Sequence, residues 1–110
     1  MEQYEILLTE DAVDDLKELR DYIADVLLSP ETALEYVRTV HVEIAGLADY
    51  PARYRLMEEE PWHSRGVRRL IAKNFFVYYR IDEAARRVYV LNVIYARRDQ
   101  LRALWETNRE

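Results

Sequence analysis

Arginines set beside aromatic rings are the residues of this chain whose types and spacing could do chemistry. Residues 61–110 hold eleven bases, ten of them Arg, against five acids. A guanidinium is a planar, permanently charged fork that fits phosphate oxygens, and an aromatic face beside it can stack on a base. Arg65, Arg68, Arg69, Arg80 and Arg97, with Tyr78 among them, are therefore candidates for holding a phosphate-bearing substrate, and Arg98 lies just past the last of them. Residues 1–60 are the opposite, with 16 acids and 5 bases, so the chain as a whole carries −5. A basic half joined to an acidic one can offer a local anion-binding face. The duller reading is that the two halves pack with their fields opposed and neutralise each other.

Other chemistries are poorly supplied. Without Cys there is no disulfide and no thiolate zinc site, and two separated His do not make a metal centre. No metal or cofactor is expected. His63 is the one His outside a predicted helix, and its ordinary pKa suits proton transfer. The longest apolar run is far short of a membrane span, and the start MEQYEILLTED has no signal-like stretch, so a cytoplasmic protein away from membranes is expected.

The elements that must position these residues follow from periodicity. YEILL at 4–8 reads as a strand, and Thr9 as the cap of a helix over 10–27 with Val13, Leu16, Leu19, Ile23, Val26 and Leu27 on one stripe. Ser29-Pro30 opens a second helix over 31–48 that carries Leu34, Val37, Val40, Ile44, Leu47 and Ala48. Residues 49–66 show no period and should be the least ordered internal part. Runs at 67–72, 75–81 and 88–96 read as a three-strand antiparallel meander, turning at Lys73-Asn74 and 82–87. Residues 98–106 read as a short helix or turn with Leu101, Leu104 and Trp105 folding back. The 110 residues suit one domain of α+β class: an antiparallel helical hairpin on one face of a small, mainly antiparallel sheet, in the order β-α-α-β-β-β. On the middle strand Phe75, Val77, Tyr79 and Ile81 should face the core, and Phe76, Tyr78 and Arg80 the open side. One of Arg68 and Arg69 should join them.

The stretches YEILLTEDAVDDLKELRDYI, SPETA, EEPWHSRGVRRLIAKNFFVYYRID and VYVLNVIYARRDQL, in this order, resemble the RelE/ParE family of bacterial type II toxin–antitoxin toxins. The resemblance implies a growth-inhibiting, plasmid-stabilising toxin held inactive by a cognate antitoxin. It implies either a ribosome-dependent, metal-independent endoribonuclease acting on mRNA or, in the ParE-like branch, an inhibitor of DNA gyrase with no enzymatic activity. A degenerate, non-toxic binding module is a third possibility. For a nuclease, the family pattern points to Arg68 or Arg69 before the hairpin and Arg98 within ARRD. Tyr95 stands near the place of a catalytic His. Phe76 stands where a middle-strand Arg is usual. In such a reaction Arg stabilises the charged phosphate, while Tyr95 or His63 would move the proton. Each has a plainer reading: Arg69 bridging to the acidic helices, Arg98 pairing with Asp99, Tyr95 packing, His63 an ordinary loop residue.

Overall fold

The computed structural model describes residues 3–27, 30–72 and 75–95. Strand β1 (Glu5–Leu8) is followed by helices α1 (Glu10–Leu27) and α2 (Pro30–Gly46), a 3-10 turn at Pro51–Arg53, and strands β2 (Val67–Ala72), β3 (Phe75–Asp82) and β4 (Arg87–Tyr95). The predicted α+β order is thus observed. Ser29, the Lys73-Asn74 turn, Arg97, Arg98 and the 98–106 helix lie outside the described residues, as do the side chains of Ile23, Val26 and Leu27.

The sheet runs β1-β4-β3-β2. β2, β3 and β4 form the antiparallel meander, and β1 joins β4 in parallel, with Leu8 opposite Val90. The nearly continuous apolar run of β4 fits its inner position. Ala12, Leu16 and Leu19 of α1 and Val40, Ile44 and Leu47 of α2 pack over Leu70, Phe75, Val77, Tyr79, Val88, Val90 and Val93. α2 ends two residues before its predicted end, at Gly46, and the carbonyl of that last residue is met from outside the helix. Arg53 donates from Nη2 to the Gly46 oxygen at 3.0 Å and from Nε to the Tyr50 oxygen at 3.0 Å.

The two halves of the chain are tied where β4 carries a bulge. Tyr78 pairs with Asn92 and Tyr79 with Val90, which leaves Leu91 without a partner on β3. Thr9 caps α1, its Oγ1 accepting the Ala12 N–H at 3.2 Å, and its hydroxyl also donates to the Leu91 oxygen at 3.0 Å. Asp15 accepts the Val93 N–H at 2.9 Å and the Asn92 amide at 3.2 Å. β1 has ended by then, so this carboxylate serves a strand edge that would otherwise be bare.

The 49–66 connection departs from expectation. It is not a loose arm but folds back on β2, because Leu56 bridges Arg68 and the Met57 N–H donates to the Val67 oxygen at 2.8 Å. Residues 59–66 close on themselves through His63 N–H to Glu59 O (3.0 Å) and Gly66 N–H to His63 O (3.0 Å). Gly66 has a φ of +75°, a conformation that favours glycine. Ser64 donates to Glu60 from Oγ at 2.7 Å and from N at 2.8 Å. Those bonds hold the Glu60 carboxyl below its usual range. Backbone and short polar side chains supply the order here, and neither leaves a hydrophobic period to read.

Candidate functional site

Strand pairing sorts the arginines. Arg69 lies opposite Tyr78, Ile71 opposite Phe76 and Val67 opposite Arg80, so these residues share the face away from the helices. β4 adds Tyr89 opposite Arg80, and Asn92 and Ile94 further along. The predicted alternation on β3 is observed: Phe75, Val77 and Tyr79 are fully buried, while Arg80 is exposed.

On this face the cations rest on rings. The Arg69 guanidinium lies 4.9 Å from the Phe76 ring centre and that of Arg80 lies 4.6 Å from Tyr89. In the covering loop Arg65 lies 5.8 Å from Trp62. A stacked guanidinium is held by its flat face and keeps its N–H edges for another acceptor. Among the described residues none of the three has a carboxylate within 4 Å. The one ion pair described between the two halves joins Arg87 to Glu5, at 3.0 Å. One-by-one neutralisation by the helices is therefore not what Arg65, Arg69 and Arg80 undergo within the described residues. Arg69 also lines a cavity of about 500 Å³ at the β2 edge, with Arg55, Met57, Glu58, Glu59 and Ile71.

Arg68, Tyr95 and His63 are the other predicted site residues within the described part of the chain. Arg68 faces the helix side and donates from Nη1 to the Tyr54 oxygen at 2.6 Å and toward that of Ala52 at 3.5 Å. It anchors the loop rather than joining the arginine row. Tyr95 is only 6% exposed and packs against Phe75, Tyr22 and Tyr36, with ring centres 5.3, 6.0 and 6.5 Å away. It lies on the core side because it pairs with Phe75. His63 is exposed, but its Nδ1 donates to the Met57 carbonyl at 2.8 Å, which fixes the proton on that nitrogen. Arg97 and Arg98 lie outside the described residues. Sequence reasoning did not pick out Tyr89 and Phe76 as the rings under the arginines. The Arg80–Tyr89 pair was within reach, since counting back from the turn between Asp82 and Arg87 puts these two opposite each other.

The family model for the ParE toxin of the type II toxin–antitoxin system parDE matches residues 6–100. The chain belongs to the ParE toxin family. Its fold is also that of solved relatives. A chain of the chromosomal ParDE toxin–antitoxin system from P. aeruginosa is 23% identical with a TM-score of 0.68, over 84% of this chain and 95% of that one. A chain of the toxin–antitoxin complex RelBE2 from Mycobacterium tuberculosis is 21% identical with a TM-score of 0.59, over 84% and 98%. No curated protein gives a significant sequence match. Among the described residues no three His, Asp or Glu side chains gather as a metal site, and no helix is long and apolar enough to cross a membrane.

Proposed function

We propose that this ParE-family toxin acts by binding rather than by cutting, that its target is DNA gyrase, and that a cognate antitoxin neutralises it in the cytoplasm. Arg65, Arg69, Tyr78 and Arg80 are the contact set of this reading, extended by Arg97 and Arg98 from the sequence. The observation that carries it is Phe76. A ring occupies the place of the usual middle-strand arginine, and it supports Arg69 from below at 4.9 Å. Of the groups that could move a proton, Tyr95 is packed in the core, and His63 is not among the residues that line the cavities beside Arg69 and Tyr78. A 2′-hydroxyl cannot attack a phosphate unless something takes its proton, and arginine is too weak a base to do so. Charge stabilisation without proton transfer suits a binding surface.

A second reading, ribosome-dependent mRNA cleavage, draws on the free edges of Arg69 and Arg80, which would suit a phosphodiester as well. One comparison separates the two. Purified toxin is added to gyrase supercoiling reactions and, separately, to translating ribosomes whose mRNA is mapped by primer extension. Loss of supercoiling with intact mRNA is expected. Cuts in mRNA that appear only with ribosomes, with supercoiling untouched, would replace the binding reading with the nuclease one.

A further inference from the structure

The acidic first sixty residues contribute one base, Arg55, to the face that carries the arginine row. The Leu56–Arg68 bridge is antiparallel, and two main-chain bonds flank it: Met57 N–H to Val67 O at 2.8 Å and Arg69 N–H to Arg55 O at 3.3 Å. That pattern sets Arg55 directly opposite Arg69. Both side chains then project away from the helices, with Cβ atoms about 5 Å apart. Arg53, two residues earlier, is spent on the end of α2. Arg55 is exposed and lines the same cavity of about 500 Å³ as Arg69.

Like charges directly opposite each other on paired strands repel. Among the described residues neither guanidinium has a carboxylate within 4 Å to relieve this. Phe76 holds Arg69 by its flat face and leaves its N–H edges available, and Arg55 brings a second fork to the same cavity. Two forks on adjoining strands suit an oxyanion, whose oxygens accept from both and whose charge turns the repulsion into attraction. Charge around the cavity selects the source of that oxyanion. Met57 lies opposite Val67, and Glu58 and Glu59 run on from there, whereas Arg69 leans the other way, onto the ring that pairs with Ile71. The cavity thus has a cationic end and an acidic end, since Glu58 and Glu59 line it too. A nucleic-acid backbone, negative along its whole length, is repelled at one of the two. A protein segment that carries a carboxylate beside a basic residue suits both.

We infer that Arg55 and Arg69 form a clamp for a carboxylate of the protein that this toxin binds. The inference rests on the open face being the contact surface and adds Arg55 to it, but the clamp itself is read on the toxin alone, so the two can fail separately. In the full chain, the arginine Nε–H signals are followed by nitrogen-15 NMR as sodium acetate replaces sodium chloride at constant ionic strength. The Arg55 and Arg69 signals should move together and saturate, while that of Arg20, exposed and paired with Asp21, should not saturate. Arg55→Gln should abolish the saturating change at Arg69. Arg55→Glu supplies the carboxylate from within. It should raise the melting temperature by about 1–4 °C, end the acetate response and weaken gyrase inhibition several-fold. An acetate response no different from that of Arg20, or an Arg55→Glu chain that melts below the Arg55→Gln chain, would overturn the clamp. A short DNA duplex that binds the parent and is lost with Arg55→Gln would overturn the carboxylate in favour of a phosphodiester. Saturable acetate binding with gyrase inhibition unchanged by Arg55→Gln would uphold the clamp and overturn gyrase as the protein it holds.

Discussion

The two faces of the β2–β3–β4 meander are built from alternate residues of the same strands, yet they treat polar groups in opposite ways. On the helix side Tyr79 and Arg68 are each met by main-chain oxygens of the 49–66 connection. The Tyr79 hydroxyl donates to the Pro51 oxygen at 2.6 Å, and Arg68 donates to Tyr54. On the open side Arg69 and Arg80 lie on rings and keep their donor edges. Burial explains the difference. A donor taken out of water costs about 1–3 kcal/mol if left unmet, so the covered face must satisfy it locally, while the open face can leave that to solvent or a partner. Arg68 and Arg69 show how sharp the division is, being neighbours in sequence with unrelated tasks.

Replacing matched residues on the two faces should break the comparison if it is wrong. Phe75 is fully buried against Tyr36 and Tyr95, and Phe75→Ala should cost about 3–5 kcal/mol. Phe76→Ala, on the other side of the same strand, should cost much less while releasing Arg69. Urea unfolding of the two variants measures this, and equal losses would mean that both faces carry the core. Next in size is Arg68→Ala. Removing a charged donor from the Tyr54 carbonyl should cost about 1.5–3 kcal/mol and loosen the loop, whereas Arg69→Ala gives up only a half-buried stacking contact of about 1 kcal/mol. Hydrogen exchange at Met57 and Arg69, whose N–H groups bond across the loop–β2 junction, reports the loosening directly.

Tyr79 sharpens the comparison by pH. Burial is the main cause that pushes its phenol from an ordinary 10.0 up to about 12. The unfolded chain releases this proton near pH 10 and the folded one near 12, so the folded state holds more protons between them. Stability from this group is complete below pH 10 and is lost as pH rises to 12, with a slope of about 1.4 kcal/mol per pH unit. Tyr79→Phe should remove that slope in alkaline unfolding curves. Tyr4 is also raised, chiefly by its hydrogen bond to Glu83, but it lies on the surface and its smaller contribution should persist in the variant.

Much of this division could be read from the sequence, and the unread part has physical causes. FFVYYRID alternates with the period of a strand, so the buried and open sets of β3 follow from side-chain direction alone. The helices were legible from their apolar stripes, and Thr9 from its position before one. Arg68 and Arg69 could not be separated, because which of two adjacent residues faces the helices depends on register, and register depends on long-range pairing. The face taken by Tyr95 could not be fixed for the same reason: the bulge that sets the register of the far end of β4 is stabilised by Thr9 and Asp15, more than 75 residues away. The 57–66 turn left no hydrophobic signature, since Glu60, Ser64 and main-chain groups hold it.

The smallest effect on stability should accompany the largest effect on function. Arg69→Ala removes a half-buried guanidinium from a ring and Arg80→Ala an exposed one, and neither leaves a buried polar group unmet. Each should cost about 1 kcal/mol, and the double variant should stay folded and melt within about 10 °C of the parent. If the open face is the contact surface, the same double variant should lose growth inhibition and gyrase inhibition together. Replacement by Lys tests what kind of contact it is. Lysine keeps the charge but neither the fork nor the flat stacking face, so a contact that needs bidentate acceptors stays lost, whereas one that needs only positive potential returns. A double variant that folds and still inhibits at full strength would take the function off this face altogether. The acidic outer surface of the helical hairpin would then be the next place to substitute.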